Sequence, residues 1–318
     1  MSARAFLNFL TTLSVVFPLL CFAQPAKTIA ITVDDLPILS KTPFTTEEAA
    51  ALNAKMLRAF KTAGVTAVGF VNEDRLLVRG RVDAGIDILD SWLVAGMELG
   101  NHNFGHIGLW KSTLAQNQDA VTKGEVFTRW LTTQRGAPLR YYRHPFTQTG
   151  RDEAERQAFE AFLGSRGYTV APFTIEHDDY LYSCVYDALH LNGKEQDKAV
   201  VTAEYLAHLE ASVQIYESMS DQLFGRQIPQ ILLIHATRLN AETLENMLHK
   251  LRSMGYSFIT LEEAMRDKAY RSPEKASQQF GPSWLARWAR AATKRLSVYG
   301  QPDPVGKTAE MAAKLCAE

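Results

Sequence analysis

An α/β fold of repeated parallel βα units follows from two features of the sequence. The first is a recurring junction in which a helical pattern runs into glycine and then directly into a β-rich run: "FKTAGVTAVGFV", "LVAGMELGNH", "GSRGYTVAPF" and "RSMGYSFITL". Gly64, Gly96, Gly167 and Gly255 stand where a left-handed cap would end each helix. The second is a set of seven strand candidates, 29–33, 66–71, 97–100, 139–143, 168–175, 230–234 and 257–260, most of them separated by helical patterns. Units of this kind either close into a barrel or open into a doubly wound sheet, and pattern alone does not choose.

Each element has a local cause. The first helix begins at "TTEE", where Thr45 and Glu48 have capping-box spacing, and Leu52, Met56 and Phe60 make its apolar stripe. A longer helix is expected over about 196–224. After about Lys268 the pattern changes, and Trp284, Leu285 and Trp288 form the apolar face of a short helix. Packing of that helix on the body is favoured over a substrate-binding aromatic patch. No G-x-G-x-x-G turn follows the first strand, which removes the main support for a dinucleotide site.

Composition bounds the class. With 318 residues, 46% hydrophobic and 22% charged, the chain suits a globular protein with one sizeable core. Arg4 followed by a charge-free apolar run from Phe6 to Phe22 reads as a secretory signal. Cleavage after Ala23 is expected, ahead of lipidation at Cys21 or retention as an anchor. The chain without that signal carries 34 − 1 = 33 basic and 35 acidic side chains, so nothing suggests the concentrated basic face that nucleic acid needs. Cys184 and Cys316 then remain, and no bridge between them is expected, because Cys316 lies near the terminus. The expected organisation is therefore a signal at 1–23, one main domain at 24–267 and a C-terminal extension at 268–318.

The unusual polar residues fall at strand ends, where a parallel fold gathers its chemistry. Asp34 and Asp35 follow the first strand, "NHNFGH" follows "MELG", "RHPF" follows "LRYY", "EHDDY" follows "TVAPFTI", and His235 follows "ILLI". The four-residue spacing of His102 and His106 would put both imidazoles on one side of a helical turn, within reach of one metal ion. A hydrolytic metal needs a third ligand and an open position, and Asp34 or Asp35 can supply the carboxylate. Two adjacent carboxylates also permit a division of labour, one on the metal and the other taking a proton from water. His144 reads as a groove side chain, His177 as groove or solvent, and His190, His208 and His249 as surface residues.

These five strand ends resemble the ordered motifs of the polysaccharide deacetylases with a NodB homology domain, carbohydrate esterase family 4, over roughly residues 28–265. The resemblance implies a distorted parallel (β/α) barrel. It implies that Asp34 is the catalytic base, with Asp35, His102 and His106 holding a divalent metal, for which zinc is the expectation. By the same resemblance Arg143 orients the base, Asp179 tunes His235, and His235 is the general acid. Pro145, Phe146, Tyr180 and Leu233 would line the groove and the acetyl pocket. The departures are Val33 for a usual Phe, Asn103 for Ser or Thr, and Glu176 and Tyr180 in the fourth motif, where Trp is usual at the latter position.

The function implied is metal-assisted removal of acetyl groups from an acetylated carbohydrate, with N-acetyl groups of an amino-sugar polymer such as peptidoglycan or chitin-like oligosaccharide expected. An O-acetyl esterase of the acetylxylan type would use the same residues with an alcohol leaving group. A non-catalytic carbohydrate-binding domain is the reading from another class, and the full set of acid, base and ligands argues against it. The expected location is secreted or periplasmic, without stable membrane insertion once the signal is removed.

Overall fold

The computed structural model describes residues 27–276 and 279–316; the predicted signal and its cleavage point lie outside the described residues. The chain alternates as expected. It runs β1 (Lys27–Leu36), α1 (Thr46–Ala63), β2 (Val68–Val71), α2 (Val82–Val94), β3 (Glu98–Asn101), α3 (Leu114–Lys123), α4 (Val126–Gln134) and β4 (Tyr141–Tyr142). There follow α5 (Glu153–Ser165), β5 (Thr169–Val170), α6 (Asp179–Leu191), α7 (Glu195–Phe224), β6 (Gln230–His235), α8 (Arg238–Ser253), β7 (Tyr256–Phe258) and α9 (Leu261–Met265). Two further helices close the chain, α10 (Trp284–Ala291) and α11 (Gly306–Leu315). No helix among the described residues is long and apolar enough to cross a membrane.

All seven strands join one parallel sheet in the order β5-β4-β3-β2-β1-β6, with β7 also paired to β1. The sheet curls until the segment after β5 meets β6: Ile175 bridges Leu232, and the Leu233 amide donates to the Ile175 carbonyl at 3.0 Å. This is the distorted barrel that the motifs implied. Its central strand, β1, is buried from Ile29 onward because it has paired strands on both edges and helices outside.

The local causes read from sequence are present. Gly64, Gly96, Gly167 and Gly255 all have positive φ, between 64° and 90°, and Thr45 and Glu48 close a reciprocal capping box. The fifth strand is much shorter than the 168–175 run predicts. Pro172 cannot donate to a ladder, and the carbonyls of Ala171 and Pro172 accept from the Arg143 guanidinium instead of from a neighbouring strand.

The C-terminal region packs on the body. Trp284 and Trp288 are buried, against Phe173 and against Tyr270 and Phe224 respectively. Cys316 is correspondingly not free: it forms a disulfide with Cys184 of α6, against the expectation of unpaired thiols. The reason is α11, whose start is held by the Glu204 carboxylate through the Lys307 and Thr308 amides and the Thr308 hydroxyl, so the terminus is brought to α6.

Gly124, at the end of α3, supports the loop that follows β3. A Cβ there would lie 2.6 Å from the Asn103 carbonyl carbon and 2.7 Å from the Phe104 nitrogen, both backbone atoms that cannot move aside. Gly124→Ala is expected to destabilise the fold by about 1–3 kcal/mol, read as a lower urea midpoint at unchanged m-value; an unchanged midpoint would contradict this packing.

Candidate active site

Adjacent side chains on a strand normally point to opposite faces, so Asp34 and Asp35 can share one site only if the strand is broken between them. It is: the register of β1 against β2 slips between Val33 and Leu36, and Asp35 has φ 67°. Asp34 still pairs in register with His235 of β6, while Asp35 is rotated toward β2 and β3. Both carboxylates are 2% exposed.

The histidine pair also reaches the site without a helical turn, contrary to the expectation from its spacing. Residues 102–108 form a loop in which Asn103, Gly105 and His106 all have positive φ. Asn103 makes this possible. Its backbone tolerates the left-handed region, its amide nitrogen donates to the Ile107 carbonyl, and its side-chain oxygen accepts from the Ile107 amide. The result brings the two imidazoles to a centroid distance of 5.0 Å. His102 Nδ1 is bonded to the Arg143 carbonyl at 2.8 Å, which turns its Nε2 toward Asp35 Oδ1 at 3.9 Å, and His106 Nε2 lies 3.8 Å from the same oxygen.

Asp35, His102 and His106 thus each offer one ligand atom within 4.8 Å of the other two. Their donor set, one carboxylate and two imidazoles, suits a divalent ion with open positions. The state of the rings fits as well: burial holds both His102 and His106 down to about 4, so they are neutral. Asp35 is also desolvated, but His106, Arg75 and His102 overcome this and hold its carboxyl below the usual range.

Asp34 sits beside this set. Arg143 is fully buried, with Phe70 and Phe173 on its guanidinium, and it reaches Asp34 Oδ2 at 3.4 Å and Thr32 Oγ1 at 3.0 Å. The other Asp34 oxygen is buried and has no hydrogen-bond partner, so an acceptor is left facing the site. A guanidinium this close would favour the ionised carboxylate. In the structure burial is the larger effect, and it raises the Asp34 carboxyl above its ordinary value despite the opposing Arg143 charge.

On the other side of Asp34, Asp179 begins α6 and its two oxygens bind the ring and the backbone of the same residue: His235 Nδ1 and the His235 amide, each at 2.7 Å. Burial would lower the His235 pKa, but the Asp179 charge and hydrogen bond prevail and lift it to about 9. Tyr180 is half exposed at the rim near the His235 ring, and Phe146 is 41% exposed with its ring 4.5 Å from His106. Pro145 is buried at the turn after β4, and Leu233 is buried in β6.

Residues 23–161 match the family model described as polysaccharide deacetylase. The match covers less than half of the chain. No curated protein sequence matches it. Among solved structures it is similar to a variant of a CE4 family pseudoenzyme with restored enzymatic activity, at 16% identity and TM-score 0.51, over 76% of this chain and 69% of that one. The unmodified pseudoenzyme, from Bacillus anthracis, matches at 16% identity and TM-score 0.50, over 76% and 66%. The peptidoglycan deacetylase PdaC from Bacillus subtilis matches at 20% identity and TM-score 0.47, over 77% and 95%.

Several residues lie elsewhere than expected. His144 is not in a groove but buried between Tyr142 and Phe159. His177 is buried and bonded to the Tyr205 hydroxyl at 3.0 Å, and His208 is buried against the Pro302 carbonyl, whereas His249 is exposed. Three residues without a motif signal join the site. Asn72 donates to Asp35 Oδ1 at 3.2 Å and Arg75 lies 3.4 Å from it, both just beyond β2. Asn240 donates to Asp179 Oδ2 at 2.6 Å and to the His235 carbonyl at 2.8 Å, with its own oxygen held by the Tyr205 hydroxyl. The strand-end rule covers Asn72, since it is the residue after β2.

The Asp179–His235 pair gives stability a pH dependence. His235 is raised from 6.5 to about 9 in the fold, so its contribution is complete below pH 6.5 and lost as pH rises through 9. Asp179 is lowered from 3.8 to about 2, so its contribution is lost only as pH falls through that range. In chelator-treated protein, urea unfolding should show stability declining between about pH 6.5 and 9, and Asp179→Asn should remove most of that decline. An equal slope in the variant would contradict the assignment.

Proposed function

We propose that the protein hydrolyses acetyl groups from a carbohydrate, with N-acetyl groups of an amino-sugar polymer as the preferred substrate. The observation that carries this reading is a partnerless buried carboxylate oxygen of Asp34, next to an Asp-His-His set and paired across the sheet with a His235 whose ring is held by Asp179. Asp35, His102 and His106 would hold the divalent ion, zinc by its donor set, which when bound supplies Lewis acidity toward the acetyl carbonyl and acidifies water. Asp34 takes the proton of the attacking water, and Arg143 fixes the direction of its carboxylate. His235 delivers a proton to the departing nitrogen while Asp179 stabilises the imidazolium. An amine leaves poorly unless protonated, so an acid held in its charged form up to about pH 9 suits an amide more than an ester.

The reading from another class is a non-catalytic carbohydrate-binding domain. This chain has a candidate for each of base, acid and ligand set, which favours catalysis. A location outside the cytoplasm is supported by the signal-like first residues and by the Cys184–Cys316 disulfide, since such bonds persist in oxidising compartments.

Acetate release from chitin oligomers, peptidoglycan and acetylated xylan by the metal-loaded protein tests the reading directly. Faster release from the two N-acetylated substrates is expected, and Asp34→Asn should lower it by roughly 10²–10⁴-fold. Preference for xylan would replace the amidase with the esterase, and no release from any of the three would end the enzymatic reading. His102→Ala should lose bound metal in a direct metal analysis; undiminished content would remove His102 from the ligand set.

A further inference from the structure

The turn after β4 carries Phe146 and Thr147, both in the left-handed region at φ 51° and 54°. Neither residue type favours that conformation, and the Phe146 ring is the wall of the site beside His106. Something must therefore hold the turn. The contacts that do so come from the segment leading into α10, more than 130 residues further along the chain.

Arg287 is fully buried there. Its guanidinium stacks on Trp284 at 3.8 Å and donates to the Thr147 carbonyl at 2.7 Å, to Thr149 Oγ1 at 3.3 Å and to the Pro282 carbonyl at 2.8 Å. The Thr147 hydroxyl donates to the Gly281 carbonyl at 2.5 Å, and Gln148 Nε2 donates to the Gln279 carbonyl at 2.6 Å. Gly281 is required by this closeness: a Cβ would lie 2.3 Å from the Thr147 carbonyl oxygen and 2.2 Å from Arg287 Nη2. On the opposite side Gln148 Oε1 accepts from the Trp110 amide, so the turn is gripped from both flanks.

We propose that Arg287 is a positioning residue for the active site, and that residues 279–287 hold the strained Phe146–Thr147 turn so that Phe146 stands over His106. The segment lies outside the stretch that matches the deacetylase family, yet it acts on a wall of the site. A planar guanidinium with several donors fits a carbonyl, a hydroxyl and an indole face at once, which an ammonium cannot do. The kinetic consequence rests on the deacetylase reading above; the conformational one does not.

The test is hydrogen exchange by mass spectrometry on the full chain, together with acetate-release kinetics. In Arg287→Ala, exchange across 144–150 is expected to accelerate about tenfold or more with β1, β2 and β6 unchanged, and kcat to fall on the order of 10–10²-fold. Arg287→Lys should not restore either. If Arg287→Ala does not fold, Thr147→Val removes only the hydroxyl donated to Gly281 and should show the same local acceleration to a smaller degree. Unchanged exchange at 144–150, or acceleration spread evenly over the barrel, overturns the proposal whatever the activity. A parent protein that releases no acetate overturns the deacetylase reading alone, and exchange still decides the role of Arg287.

Discussion

The constraint on which the site depends is the burial of two neighbouring carboxylates at the end of the central strand. A charge in such a place is costly unless it is paired and hydrogen-bonded, and two like charges compound the cost. Each surrounding strand end contributes to the answer. Arg143 comes from beyond β4, Asn72 and Arg75 from beyond β2, the histidines from beyond β3 and His235 from β6. The bulge at Asp35 separates the two carboxylates so that different partners serve them. Even the short fifth strand belongs to this solution, because the carbonyls it withholds from the sheet are those that anchor Arg143.

Backbone strain marks the same places. Among the described residues seven non-glycine positions have positive φ, and six of them, Asp35, Asn103, His106, Phe146, Thr147 and Asp178, lie in the last residues of strands or the loops that follow them. Residues in that region cost free energy and persist where their surroundings over-determine them. Asn103 ties its own loop, and the segment around Arg287 ties the next. The rigid barrel supplies the fixed points between which these loops are stretched.

Much of the fold could be read from sequence because it is local: glycine caps, one capping box and seven β-rich runs need only a few neighbouring residues. The site could be read as a set of strand ends for the same reason. What escaped was set by distant partners. Arg287 and Asn240 owe their places to packing, and nothing near them in the chain announces it. The Cys184–Cys316 bridge spans 132 residues and depends on how α11 docks on Glu204. Spacing misled for His102 and His106, since four residues suggest a helical turn where Asn103 and Gly105 instead build a left-handed loop.

The site is divided along the chain. The carboxylate pair, the histidines and Arg143 all precede residue 144, within the stretch that matches the family, whereas Asp179, His235 and Asn240 come after it. The two groups meet where Asp34 pairs with His235 across the sheet. A descendant that lost the imidazole of His235 would keep Asp35, His102 and His106 as a candidate cation set but not the proposed proton donor. In such a lineage the retention of a metal says little about whether catalysis survives.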